Sequence, residues 1–250
     1  MPEVASQPNY ADWLAAIGTL LAVVVALILA LFKQDISRLR WRPKLTATIR
    51  MRPPDCQILP LLLTHPETGR QVPSQNALYL RLWVENSGRE RATHVQVFAS
   101  ELKQRQPKGE FTDVSEFLPM NLRWSHSHEV FAEAISPDMG KHCDLGHVYV
   151  MPENVLRFPT IAKPYKSPTV FQLDTEVVPS SLSNILTPGV YRVTLKIAAS
   201  NAKPIVRELE IDFSGEPFED EFQMLTKGIS VRNVSRQITS RFTRHLRRGG

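Results

Sequence analysis

The chain has 250 residues, 42% of them hydrophobic and 22% charged, with 19 Pro against 11 Gly. That balance excludes a collagen repeat, a low-complexity chain and disorder throughout, and it suits one or two domains. The two cysteines, Cys56 and Cys143, are too few for a disulfide scaffold or a four-cysteine zinc site. The formal charge of +5 sits at the ends, with −2 on residues 1–32, +6 on 33–52, −6 on 53–226 and +7 on 227–250. A mildly acidic body between two basic segments is not one nucleic-acid-binding surface, so nucleic acid is a poor candidate partner.

After a short N-terminal segment (1–10), the run from Trp13 to Phe32 holds twenty residues without a charge. At 1.5 Å per residue such a helix spans about 30 Å, the thickness of a bilayer's hydrocarbon core. A transmembrane helix is therefore expected over 11–32, with Asn9 as N-cap and with Tyr10 and Trp13 at the membrane interface. A soluble core helix rarely stays apolar on every face for five turns. The preceding MPEVASQPNYAD lacks the Lys or Arg of a secretory signal.

Lys33, Arg38, Arg40, Arg42, Lys44, Arg50 and Arg52 follow the span, whereas Glu3 and Asp12 are the charged residues before it. Positive charge is retained inside, so the N-terminus is expected outside and the rest in the cytoplasm of a bacterium, at its inner membrane. Residues 33–43 read as a basic juxtamembrane helix ended by Pro43, with Arg38, Arg40, Trp41 and Arg42 placed for anionic headgroups.

From 44 to 226 the pattern changes to short strands punctuated by Pro, Gly and Asn. Strands are expected at 44–51, 77–85, 93–101, 145–150, 169–175, 189–199 and 204–213. In the second, Leu78, Leu80, Leu82 and Val84 alternate with Tyr79, Arg81, Trp83 and Glu85. In the sixth, Tyr191, Val193, Leu195 and Ile197 alternate with Arg192, Thr194 and Lys196. No βαβ rhythm or glycine-rich phosphate loop is present, so the expected fold is mainly β, an antiparallel β-sandwich.

Two segments carry a resemblance. Val84-Glu85-Asn86-Ser87-Gly88-Arg89-Glu90-Arg91-Ala92-Thr93-His94-Val95-Gln96-Val97 resembles the strand–turn–strand of bacterial immunoglobulin-like domains of the CARDB type. There Asn and Gly would supply positive φ at the reversal, and the small Ala92 would tuck beneath it. Pro188-Gly189-Val190-Tyr191-Arg192-Val193-Thr194-Leu195 resembles the penultimate strand of such sandwiches, with Asn201-Ala202-Lys203 as the following turn. The whole layout is similar to bacterial proteins that place one N-terminal membrane helix ahead of such a domain. The resemblance implies an immunoglobulin-like sandwich and names no activity. Residues 102–168 depart from it and read as an insertion.

That insertion holds His126 and His128, then His142, Cys143 and His147. His126, His128, His142 and Cys143 are candidate zinc ligands by residue type, though their spacing is not a known signature. Cys143 beside Asp144 invites a thiol-centred reading, but adjacent His142 and Cys143 would point to opposite faces of a strand. The acidic run from Glu216 to Phe222 reads as a solvated turn with Phe218 and Phe222 packed at helical spacing. No nucleophile elbow, HExxH or kinase signature appears.

The tail 227–250 has seven cations and no acid. Val234, Ile238, Phe242 and Leu246 recur every four residues, so a basic amphipathic helix is expected from about 233 to 247, with Arg241, Arg244, Arg247 and Arg248 on anionic lipid. The functional expectation is a membrane-anchored, non-enzymatic interaction or scaffold module without a cofactor, whose partners are the bilayer and a protein. Two alternatives stand beside it. One is a tethered metal-dependent enzyme or sensor using the His/Cys segment. The other is an exported sandwich that binds envelope ligands in the opposite topology and permits a Cys56–Cys143 bridge.

Overall fold

The computed structural model describes residues 10–64, 68–151, 169–218 and 220–234, without the side chains of 12, 32–41, 63, 64 and 71. The chain divides into two units, residues 1–42 and 43–250. The described part of the first is a single helix, α1 (Tyr10–Trp41), continuous through the apolar run and the basic stub. Its segment Trp13–Leu31 has a mean hydropathy of 2.9 and no buried residue. Ala22, Val23, Ala26, Leu27, Ile28, Leu29 and Ala30 are all exposed and, at about 100° per residue, point to every side, so the apolar surface runs round the whole helix and is not one stripe.

The second unit is built from β1 (Leu45–Thr48), β2 (Cys56–Thr64), β3 (Gln71–Asn86), β4 (Ala92–Arg105), β5 (Phe111–Asp113), β6 (Met120–Asn121), β7 (Phe131–Ile135), β8 (Met139–Val150), β9 (Thr169–Leu173), β10 (Ile185–Leu186), β11 (Gly189–Ala199), β12 (Ala202–Phe213) and β13 (Ile229–Asn233). All pairings are antiparallel. One sheet runs β1-β3-β8-β9-β10, with β2 beside β1 along the same flank of β3; the other runs β13-β12-β11-β4, with β5, β6 and β7 in series along β4. The protein is thus mainly β, two antiparallel sheets with an N-terminal apolar helix.

Alternation explains why these residues pair as they do. Leu78, Leu80, Leu82 and Val84 of β3 and Tyr191, Val193, Leu195 and Ile197 of β11 all turn into one core shared by both sheets. Each fully buried aliphatic side chain there contributes about 1.5–3 kcal/mol. Two register shifts interrupt the pattern. In β4 the slip near Ser100 moves the inward set from Val95, Val97 and Ala99 to Leu102. In β8 the slip at Leu145 keeps Cys143 and Val148 inward while His142, Asp144 and His147 stay on the outer face. Gly146 beside that bulge is required by packing, because a Cβ there would lie 2.3 Å from the Gln172 carbonyl oxygen and 2.7 Å from the Phe171 ring.

Residues 120–125 join the sheets at one flank. Leu122 N–H donates to the Val97 carbonyl in β4, while Ser125 N–H donates to His142 and Arg123 accepts from Asp144 N–H in β8. Leu122 and Trp124 are buried beneath this stitch. The described part of the stretch read as an insertion is therefore structural: it supplies β5, β6, β7, the stitch and all of β8.

Several expectations change. β2 was not expected, because its apolar run is broken by Pro60 and does not alternate. β8 begins at Met139, six residues earlier than the expected 145, and β10 is also new. At the Asn86 reversal neither Asn86 nor Gly88 has positive φ. Asn86 instead holds the turn through its buried side chain, which accepts from the N–H groups of Lys44 and Gly88 and donates to the carbonyls of Glu90 and Ile135. Residues 229–233 belong to the sandwich and not to the tail, since β13 pairs with β12. Phe218 packs on the core but Phe222 is exposed, because the turn over 221–228 points it outward. The expected helix over 233–247 lies outside the described residues from 235 onward.

Candidate functional site

The outer face of the first sheet concentrates the polar and aromatic groups. β3 presents Tyr79, Arg81 and Trp83 there, and the β8 register sets His147, Asp144 and His142 opposite them. The Tyr79 and His147 rings stack with centroids 5.2 Å apart, and Trp83 meets His142 at 4.8 Å. Between them Arg81 Nε lies 3.2 Å from Asp144 Oδ1.

Each imidazole also faces a carboxylate. His147 Nδ1 is 2.9 Å from Asp174 Oδ1, and His142 Nε2 is 3.2 Å from Asp55 Oδ1. Two aromatic–histidine–aspartate sets thus flank one arginine–aspartate pair. Tyr149, two residues along β8, also contacts His147, with ring centroids 5.2 Å apart, and donates from its hydroxyl to Gln172. The stitch contributes Ser125, whose Oγ donates to Asp144 Oδ1 at 2.5 Å.

Asp55 owes its place to the connection between β1 and β2, where Arg50 folds back on it with N, Nε and Nη2 each 3.0 Å from a carboxylate oxygen. The Asp55 carbonyl also accepts from Arg81 N–H at 2.8 Å, tying this connection to β3.

Burial and partners set the electrostatics. Burial raises the Asp55 pKa, but hydrogen bonds from Arg50 and His142 outweigh it and hold the carboxyl below its ordinary value. At Asp144 burial wins: with Asp174 nearby, it keeps the pKa raised despite Ser125 and Arg81. Burial lifts the Tyr79 phenol to about 12, helped by Asp174 and Asp144, so it is neutral at pH 7. Asp174 Oδ2 is buried without a hydrogen-bond partner.

Beside this face lies a groove of about 700 Å³. Trp83, Trp124 and Phe131 form its apolar part, and Glu129, Glu133 and Lys141 supply charge. Gly140 is needed at its edge, because a Cβ would lie 2.4 Å from the Trp83 indole.

The candidate zinc ligands do not converge. His126 and His128 are exposed at positive φ on the turn after Trp124, His142 faces Asp55 and Trp83, and Cys143 points into the core. Among the described residues no group of three His, Cys, Asp or Glu side chains is arranged to hold a metal ion. Cys143 Sγ lies against the Arg123 carbonyl, and burial raises its pKa well above the usual thiol value. Cys56 is likewise buried, its pKa raised to about 12. The two thiols flank β3 on opposite sides, about 10 Å apart by strand spacing, too far for a disulfide. The bridge entertained for an exported form is therefore excluded in this fold.

Of the expected membrane-interface residues, Tyr10, Trp13 and Arg42 are exposed. Arg38, Arg40 and Trp41 lie on α1, with side chains outside the described set, and Arg241, Arg244, Arg247 and Arg248 lie outside the described residues. Alternation in β3 placed Tyr79, Arg81 and Trp83 on one face. Asp55, Ser125 and Asp174 had no local signal, because their roles come from the β1–β2 connection, the stitch and the end of β9.

The chain matches no family model, no curated protein and no solved structure.

Proposed function

We propose that the protein is a single-pass bacterial inner-membrane protein that displays an immunoglobulin-like sandwich in the cytoplasm as a non-enzymatic interaction module. The observation that carries this reading is α1, whose Trp13–Leu31 segment is apolar and exposed on all sides. An exposed helix of that kind needs lipid around it.

The basic residues after the span support the cytoplasmic side. Strand order supports the immunoglobulin-like reading: β1, β3 and β8 neighbour one another as A, B and E do, and β4, β11 and β12 as C, F and G do. The partner surface is the outer face of the first sheet with its adjoining groove. The half-buried Tyr79, Trp83 and His142 are what that face offers a partner, with Arg81, Asp144 and His147 buried beneath them as support, and Tyr and Trp are residue types that dominate protein interfaces. Mutual pairing of the histidines and carboxylates, and thiols buried in protonated form, favour recognition over catalysis. The bilayer confines the module and raises the effective concentration of whatever it binds there.

The test is topology. Reporters active only in the periplasm or only in the cytoplasm are fused in turn after Gly250, and membranes are washed with alkaline carbonate. Cytoplasmic activity with retention in the membrane is expected. Periplasmic activity would overturn the orientation, and release by carbonate would overturn the anchor.

A further inference from the structure

The sandwich is polarised along β3. Its proximal end holds Pro43, the first residue of the domain, and its distal end is the arm formed by β2 and the start of β3. Three connections meet at the proximal end, and two asparagines lock them. Asn86 ties Lys44 N–H to the β3–β4 turn, while Ser87 N–H returns a bond to the Lys44 carbonyl and Asp138 N–H bonds the Asn86 carbonyl. Asn201, in the β11–β12 turn, accepts from Thr93 N–H at 3.1 Å and donates to the Arg91 carbonyl at 2.8 Å.

These bonds place the backbones of Lys44, Arg89, Arg91 and Lys203 at one end, and all four side chains are exposed. Glu90 and Asp138 are the exposed acids among them. Lys44, Arg91 and Lys203 form no ion pair with a described residue. This excess of cations lies on a domain body whose overall charge is negative. Covalent continuity makes the cationic end the one that follows α1.

We infer that the proximal end of the sandwich is itself a contact surface for the anionic headgroups of the bilayer, with Lys44, Arg91 and Lys203 as its principal charges. The inference rests on the anchored, cytoplasmic reading and goes beyond it. The helix and its basic stub would only tether the domain, whereas this surface orients it. With the proximal end held down, the distal arm points away from the membrane. Each cation near an anionic surface favours the engaged state by roughly fivefold, a gain that Glu90 and Asp138 offset in part, and salt weakens it within a Debye length of about 8 Å.

The experiment uses the full chain in lipid nanodiscs, with a fluorophore on Ser200→Cys at the proximal end or on Ser74→Cys on the distal arm, and an acceptor on the headgroups. Both native thiols are buried, so the introduced cysteine takes the label. With about a third anionic lipid, strong energy transfer is expected from Ser200→Cys and weak transfer from Ser74→Cys. Transfer from the proximal label falls towards the value in zwitterionic discs in about 1 M salt. The Lys44→Ser/Arg91→Ser/Lys203→Ser variant does the same without salt, and Glu90→Gln/Asp138→Asn moves the signal the other way. Proximal transfer that is equal in both lipids and indifferent to salt and substitution, with the protein still in the disc, would overturn the contact surface and leave the anchor standing. Failure to enter discs at all would overturn the anchored reading and this inference with it.

Discussion

His147 Nδ1 lies 2.9 Å from Asp174 Oδ1, and its imidazole ring contacts both Tyr79 and Tyr149. The contact joins Nδ1 to a carboxylate oxygen, so the geometry favours the tautomer with N–H at Nδ1. Asp174→Ala leaves that buried N–H without its acceptor and is expected to cost about 1–3 kcal/mol in urea unfolding of the solubilised full chain. Nitrogen NMR of the imidazole separates the pair from simple packing. Nδ1–H should dominate at neutral pH in the parent protein, and the preference should disappear in the variant. An unchanged tautomer would show that Asp174 does not orient the ring.

Acid unfolding offers a second test, because Asp55 and Asp144 have opposite signs. The Asp55 pKa is depressed on folding, so its contribution is complete above the unfolded value of about 3.9 and is lost as pH falls through the folded one. The Asp144 pKa is raised, so the folded state binds the extra proton, and stability declines as pH rises from about 3.9 through the folded value. Asp55→Asn should flatten the acid limb of stability against pH. Asp144→Asn should make stability climb more steeply with pH just above about 4. Equal slopes in parent and variants would reject both assignments.

The sheets were legible where alternation is unbroken. Leu78 to Val84 and Tyr191 to Ile197 follow a period of two, and their inward faces are the inward faces of the structure. Legibility stopped at irregularities: the bulge at Leu145 hid the first half of β8, and Pro60 hid β2. β13 was concealed within a basic segment because its charge suggested a tail, although Ile229 and Val231 alternate into the core. The outer-face network was half legible. Its β3 members came from alternation, but the partners come from chain positions far apart, and no local pattern encodes a register between β3 and β8.

The thiols give a third prediction. Cys56 is raised to about 12 and Cys143 is fully buried, so neither supplies appreciable thiolate at pH 8. A disulfide reagent added to the native protein should react at the rate of unfolding, and two thiols should appear at once in denaturant. Oxidation of the folded protein should leave its mobility on non-reducing gels unchanged. Rapid native labelling of Cys143, or a Cys56–Cys143 cross-link, would contradict the placement of β2 and β8 on opposite sides of β3.

β2 is an edge strand, and its defences can be removed one at a time. Ile58 N–H points away from β3 and donates to Glu221 Oε2 at 2.7 Å. Pro60, two residues on, faces the same way and has no N–H to offer. A carboxylate cap and a missing donor therefore close the positions where another strand would begin to pair. Glu221→Ala alone frees one donor and should cost about 1 kcal/mol. Glu221→Ala with Pro60→Val exposes two donors in register beside Leu59 and Leu61. Sedimentation should then show concentration-dependent self-association at constant detergent, absent from the parent protein and weaker in either single variant. Identical sedimentation of parent and double variant would mean that the edge is guarded by something other than Glu221 and Pro60.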